Sequence, residues 1–397
     1  MSEAFVHSTT DDAVRPEQHH DSTVSNTLEE RTSQFKVTEV DASDLDVSNA
    51  DTTETYMADS SASHTSSTST SHTIQSGLGD IVVGVDGSEG SFAALQWALR
   101  EASLTGQSVN AVFAWTHSWD MGGNQPDTPE EWAKVREQIT AQLLQWVEEA
   151  SRGMSFDPAN LKLTSVRASG TTGLLQIGSN AQQIVVGRRS LGRVLRWFLG
   201  SLSASLAEAA NVPVTVVRIP GTEDESVQDA IANSLAPGAV AQRPRRSDFN
   251  NANTAGGTKR PVVVGVDGSD TSRHALQFAI DLAKLHRVPL HVMFCWQLRD
   301  LGTVPGYENS IAPIEAGQQH AEQIVQDMID QADIPDNLEV QGNAFHIVAA
   351  KGLTSASRYA GHLVVGSRGL SGLDAHFLGS VSRQILNFAE CNVTIVH

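Results

Sequence analysis

The sequence predicts an α/β protein of two doubly wound domains, each a five-stranded parallel sheet with helices on both faces. Three observations predict it. The first is an internal repeat. Ile81-Val-Val-Gly-Val-Asp-Gly-Ser88 returns as Val262-Val-Val-Gly-Val-Asp-Gly-Ser269, and Phe113-Ala-Trp115 returns as Phe294-Cys-Trp296. Ile184-Val-Val-Gly187 returns as Leu363-Val-Val-Gly366, and Gly200-Ser201 as Gly379-Ser380. Four matches in one order, at a nearly constant offset, mark a duplication. The second is that runs such as 81–85 are short, continuous and β-branched, as strands buried on both faces must be. The third is that these runs alternate with helical patterns, which calls for parallel strands joined by crossover helices.

The elements follow in order. In copy one, a strand at 81–85 ends at Asp86, and Ser88 can cap a helix carrying Phe92, Leu95, Leu99 and Ala102. A strand near 109–115 precedes a long helix opened by Thr128-Pro129-Glu130-Glu131, favourable chemistry for a helix start. That helix lines up Trp132, Val135, Ile139, Leu143 and Trp146 in one stripe, read as core. A strand near 161–168, a helix near 173–180, a strand at 184–187, a helix near 201–210 and a strand at 213–218 complete the unit. Copy two repeats the order to His397. The domains are therefore read as 79–220 and 260–397. Between them, 221–259 has linker composition. Residues 1–78 are rich in Ser, Thr, Asp and Glu and are read as a disordered tail, too polar to offset the entropy of ordering.

Of the formal net charge of -19, about -11 falls on residues 1–79, from 14 acidic against 3 basic side chains. An acidic chain without a basic stripe is a poor nucleic-acid or membrane-surface binder. Cys295 and Cys391 each stand in an apolar run and are read as buried free thiols. The start has no basic n-region and no apolar run nears the length of a membrane span, so the expectation is a soluble, cytoplasmic protein.

Two features fall at strand carboxyl ends, where open α/β sheets bind ligands. Asp86 and Asp267 can hydrogen-bond a ribose or simply organise a turn and a helix start. After the fourth strand, copy two reads Gly366-Ser-Arg368-Gly369, nine further residues, then Gly379-Ser380. Glycines let backbone N–H groups approach an anion, and Gly379-Ser380 would stand at a helix N-terminus that favours phosphate. Ser380 and Ser382 add hydroxyl donors. Copy one departs here: Gly187-Arg188-Arg189-Ser190 precedes Gly200-Ser201, with Ser190 where copy two has Gly369. If that position needs a positive φ, Ser is strained there. Arg188, Arg189, Arg193 and Arg196, beside Trp197 and Phe198, could grip phosphate, form a solvated face or meet the acidic tail.

On the Val-Asp-Gly-Ser starts and the loop spacing, both copies resemble the ATP-binding branch of the universal stress protein family, over about 280 residues. The resemblance implies a flavodoxin-like, adenine nucleotide α-hydrolase-like strand order, with ATP in the crevice and Mg²⁺ on its phosphates. It implies Asp267 at the nucleoside end, and Gly366, Gly369, Gly379 and Ser380 at the phosphates; Gly268, Arg368 and Ser382 complete the candidate cofactor-binding set of copy two. Asp86, Gly187, Gly200 and Ser201 are the corresponding set in copy one. It also implies pairing of domains through their last strands, so that 213–218 and 393–397 would be partners within the chain; a homodimer is a further option. The Asp that the family often carries before the fourth strand is replaced by Gln183 and His362.

No Walker Lys, no His-x-Gly-His and no H-E-x-x-H spacing occurs. The expected function is an ATP-binding regulator of the stress response. A slow ATP hydrolase or phosphotransferase and a nucleotide-free interaction scaffold are the alternatives.

Overall fold

The computed structural model describes residues 32–33, 35–41, 79–116, 128–188, 201–219, 260–369 and 378–397. Copy one contains β2 (Ile81–Gly84), α1 (Glu89–Thr105), β3 (Val109–Ala114), α2 (Pro129–Ala150), β4 (Leu161–Arg167), α3 (Gly170–Ile177), β5 (Gln183–Gly187), α4 (Ser201–Ala209) and β6 (Val214–Val217). Copy two contains β7 (Val262–Gly265), α5 (Asp270–His286), β8 (Leu290–Cys295), α6 (Ile314–Asp330), β9 (Val340–Phe345), α7 (Ala349–Ala356), β10 (His362–Gly366), α8 (Ser380–Phe388) and β11 (Asn392–Val396). A strand before both, β1 (Lys36–Asp41), comes from the acidic tail.

All eleven strands form one sheet, in the order β1-β4-β3-β2-β5-β6-β11-β10-β7-β8-β9. Within each copy every ladder is parallel, and the order reverses beside the first strand of the unit, between β2 and β5 and between β7 and β10. This is the doubly wound α/β architecture expected of the repeat. Between the copies β6 and β11 run antiparallel, with Val393 opposite Val216, Thr394 opposite Thr215 and Ile395 opposite Val214.

The inner strands β2, β7 and β10 read as Val-rich runs because both faces are covered. Ile81 and Val83 turn toward α1 and α2, while Val82 joins the opposite layer. That opposite layer is continuous across the copies: Val214, Val216, Val393 and Ile395 share one core cluster with Leu206 and Leu386. The helix starts behave as their sequences require. Ser88 Oγ accepts the Ser91 N–H at 3.2 Å, and Ser269 Oγ accepts the Ser272 N–H at 3.2 Å.

One expectation is corrected. Residues 36–41 were assigned to a disordered tail, but they form β1, parallel to β4 from Lys36↔Lys162 to Asp41↔Arg167. Lys-Val-Thr-Glu-Val-Asp alternates around β-branched residues, a period-2 signal masked by the polar composition of its surroundings. Val40 packs on the core, Glu39 pairs with Arg136 at 3.3 Å, and Asp41 pairs with Arg167 at 3.5 Å. Apart from residues 32, 33 and 35, the rest of the tail lies outside the described residues, as do the linker 221–259, His19, His20, His64, His72, Arg243 to Arg246 and His376.

Candidate functional site

In copy two the switch point between β7 and β10 gathers the expected residues. Asp267 follows β7 on a turn where Gly268 has φ +85, a conformation that glycine adopts without strain. The Asp267 carboxylate accepts the Ser269 N–H at 3.0 Å, and its own N–H donates to Ser272 Oγ at 3.4 Å. Asp267 is thus tied to the first turn of α5, as the turn-and-cap reading requires, and is half-buried beside the crevice.

Gly369 meets Asp267 across the switch point. A Cβ at Gly369 would collide with Asp267 Oδ2. Gly369 does not have a positive φ, so the expected reason for glycine there is corrected: the requirement is space, not backbone conformation. Gly366 ends β10, where a Cβ would press on Thr271 Cγ2 at 2.9 Å. Arg368 is half-buried between these glycines.

Gly379 is the N-cap of α8 and brings no side-chain cap to it. Its N–H donates to Ser367 O at 2.8 Å, so the helix start is tied to the loop after β10. A Cβ at Gly379 would stand 3.2 Å from Ser367 O. Ser380 is exposed at this helix start. Ser382 is buried, and its hydroxyl donates to Gly366 O at 2.7 Å. The expectation that Ser382 donates to phosphate is therefore corrected: its proton braces α8 against the end of β10. Ser367 is 3 % exposed, and its buried Oγ has no hydrogen-bond partner among the described residues. Asp267, the glycines of the loop and the start of α8 thus come together at the β7/β10 switch point. The uncapped start of α8 offers it backbone N–H groups and the positive end of a helix dipole.

Copy one has the same plan but less room. Asp86 accepts from Ser88 twice, from N–H at 3.1 Å and from Oγ–H at 2.6 Å. A Cβ on Gly87 would lie 2.6 Å from Trp146 Cε2, whereas the nearest atom at Gly268 is Ile324 Cγ2 at 3.6 Å. Trp146 thus sits directly on the copy-one turn. Gly187 packs backbone to backbone against Gly90, where copy two has Thr271. Arg188 points across to copy two: Nη1 donates to Leu386 O at 3.1 Å and Nη2 to Asn387 O. Gripping phosphate was one option for Arg188; its described contacts are instead the last carbonyls of α8. Burial, and then the charge of Arg218, lowers its pKa to about 10. Ser201 opens α4. Gly200, Ser190, Arg189, Arg193, Arg196, Trp197 and Phe198 lie outside the described residues.

Gln183 and His362 form a chain that sequence reasoning did not foresee. Thr215 Oγ1 lies 2.8 Å from Gln183 Oε1 and 2.8 Å from Thr394 Oγ1, and Thr394 Oγ1 lies 2.7 Å from His362 Nε2. Four buried polar side chains on four adjacent strands thereby cross the boundary between the copies. Burial, with the nearby charge of His286 second, lowers the His362 pKa to about 3. Only the facing of β6 and β11 brings the two threonines together. Among the described residues, no group of three or more His, Cys, Asp or Glu could hold a metal ion.

Comparison with known proteins agrees with this architecture. The family described as the universal stress protein family matches residues 78–218 and 259–397. The universal stress protein Rv2005c of Mycobacterium tuberculosis is 28% identical over 325 residues, which cover 79% of this chain and 96% of the relative. Rv1996 of the same organism is 28% identical over 341 residues, covering 81% and 95%. A crystal structure of a universal stress protein from Archaeoglobus fulgidus is 18% identical with a TM-score of 0.49, covering 82% of this chain and 97% of that one. A universal stress protein from Archaeoglobus fulgidus solved in complex with dAMP is 20% identical with a TM-score of 0.24, covering 36% of this chain and 100% of that one. With both of its repeated units matched, the chain belongs to the universal stress protein family, as a tandem member.

Proposed function

We propose that copy two binds ATP, with Mg²⁺ carried on the phosphates, and that the protein acts as a nucleotide-responsive regulator. The observation that carries this reading is the convergence at the β7/β10 switch point. Asp267 faces Gly369 so closely that a side chain there would displace its carboxylate, and the start of α8 beside them has no side-chain cap. Asp267 receives the nucleoside end. Gly366, Gly369 and Gly379 leave the backbone open to the phosphates, and the N–H groups opening α8 favour their charge. Ser380 and Arg368 stand at the rim. The buried Ser367 hydroxyl, without a partner among the described residues, adds a polar group in the same loop. The nucleotide itself, ATP, comes from the resemblance carried by the loop spacing.

Copy one serves in this proposal mainly as the structural half of an internal pair. Trp146 on the Asp86–Gly87 turn, the Gly90–Gly187 contact and the outward-turned Arg188 support that role. The β6–β11 ladder and the chain from Gln183 to His362 support pairing within the chain. The free, buried cysteines suit a reducing cytoplasm.

The test is to purify the full chain without added ligand, denature it and identify the released nucleotide. Near-stoichiometric ATP, lost in Gly379→Ala and Asp267→Ala, is expected. A protein that releases no nucleotide and shows no thermal shift with Mg-ATP would refute the proposal. Accumulating ADP would move the reading to a slow hydrolase.

A further inference from the structure

Helix α8 has its two ends tied to different copies. Its N-terminus belongs to the loop of copy two: the Gly379 N–H donates to Ser367 O at 2.8 Å, and Ser382 Oγ donates to Gly366 O at 2.7 Å. Its C-terminal carbonyls, Leu386 O and Asn387 O, accept from the guanidinium of Arg188. Arg188 immediately follows Gly187, the residue that ends β5 in the corresponding loop of copy one. A cation is favourable at that position because the last carbonyls of a helix lack partners and carry the negative end of the dipole. Arg188 is also the fork that can bond two carbonyls at once.

The arrangement is one-sided. The residue matching Arg188 in copy two is Ser367, whose buried hydroxyl has no partner among the described residues. Ser367 offers no guanidinium to α4. Among the described residues, α4 and α8 are also joined by the partly exposed Glu208–Arg383 ion pair at 3.1 Å.

We propose that Arg188 is a positioning residue for the phosphate cradle of copy two, through which the loop of copy one sets nucleotide affinity at the other site. This rests on the reading of that cradle as a nucleotide site. The helix is nine residues long and acts as a short rigid rod. With its carbonyl end clamped, its amide end is held against Ser367 and Gly366. Any event at copy one that draws Arg188 away releases the carbonyl end and loosens the amide end. Copy one then regulates copy two without binding nucleotide itself. Arg188, where copy two has Ser367, is the residue that supplies the link.

The test uses the full chain and two readouts. The first is amide hydrogen exchange at Gly379 and Arg383 in the protein without nucleotide. The Arg383 N–H donates to Gly379 O at 2.9 Å, so both amides report the start of α8. The second is the affinity for Mg²⁺ with a fluorescent ATP analogue. Arg188→Met is expected to speed exchange at both amides and to weaken the analogue by about five-fold, the low end of ordinary coupling between sites. Arg188→Lys, which keeps the charge but loses the fork, recovers part of both effects. Arg383→Gln removes the peripheral ion pair and moves neither readout. If the wild-type chain binds no analogue but Arg188→Met still speeds exchange, the nucleotide reading falls and the mechanical link stands. Unchanged exchange in Arg188→Met overturns the link whatever the affinity. An equal response from Arg383→Gln overturns the assignment to Arg188.

Discussion

Gly369→Ser writes the residue of copy one into the intact loop of copy two, and its effect can be worked out from the contacts. Gly369 does not have a left-handed φ, so a side chain adds no backbone strain of that kind. The cost comes from the Cβ, which would overlap Asp267 Oδ2. The carboxylate must turn aside, and in turning it gives up the Ser269 N–H that it now accepts at 3.0 Å. A hydrogen bond to a charged group contributes about 1.5–3 kcal/mol. If the lost orientation of Asp267 is felt fully in binding, affinity falls roughly 10- to 150-fold, since about 1.4 kcal/mol is one factor of ten. Isothermal titration with Mg-ATP measures it. The informative experiment is the cycle with Asp267→Ala. Once the carboxylate is absent, the overlap is absent too, so Gly369→Ser should then cost little. A large deviation from additivity is therefore expected. Strictly additive losses, or an affinity for Gly369→Ser equal to wild type, would show that the contact between Gly369 and Asp267 does not govern the site.

Three further outcomes are expected. His362 and His291 are held neutral, their pKa values lowered from 6.5 to about 3 and about 4, in each case chiefly by burial. Because the folded values are depressed, the unfolded chain binds protons that the folded chain refuses. This stability is complete above pH 6.5 and is lost as pH falls toward 4, at about 1.4 kcal/mol per pH unit for each histidine. Proton NMR should find both rings still neutral at about pH 5.5, and a midpoint near the unperturbed value for either would contradict this. Thr394→Val keeps the shape of a fully buried side chain but leaves Thr215 and His362 without the hydroxyl they share. Thermal or urea unfolding should report a loss of about 1–3 kcal/mol, and a neutral change would mean that the chain crossing the boundary adds no stability. The thiols of Cys295 and Cys391 are pushed up to about 12 by burial, so a thiol reagent at neutral pH should label them only after denaturant is added. Rapid labelling of the native protein would place them at the surface.

Much of the fold was legible because it is written in local pattern. Short, β-branched, Val-rich runs fit strands covered on both faces, and Ser88, Thr128 and Ser269 cap helices. The loop glycines were legible as a set, but the reason for Gly369 was not. A requirement for space comes from Asp267, about a hundred residues earlier in the chain, and leaves no mark in the local sequence. Strand β1 was missed for a related reason. Its six residues sit in acidic, polar surroundings, and what stabilises them is the edge of β4 with Arg136 and Arg167. Arg188 was recognised as unusual, yet its described acceptors are carbonyls nearly two hundred positions later.

By itself, the sequence determined that this protein is a duplication, that each half is a doubly wound α/β unit, and that the second half keeps every glycine of its loop. Periodicity, capping and repeat spacing act within a few residues, so they can be read in one dimension. The tertiary structure decided how the halves differ in their contacts. It set Trp146 on the turn of copy one, tied Ser382 to Gly366, joined Gln183 to His362 through two threonines, and placed Arg188 at the far end of α8. Each of these is a contact between separate segments of the chain, and the two that cross between the copies form only when the sheet closes β6 against β11. Contacts of that kind depend on register and packing across distant segments, which residue spacing along the chain does not encode.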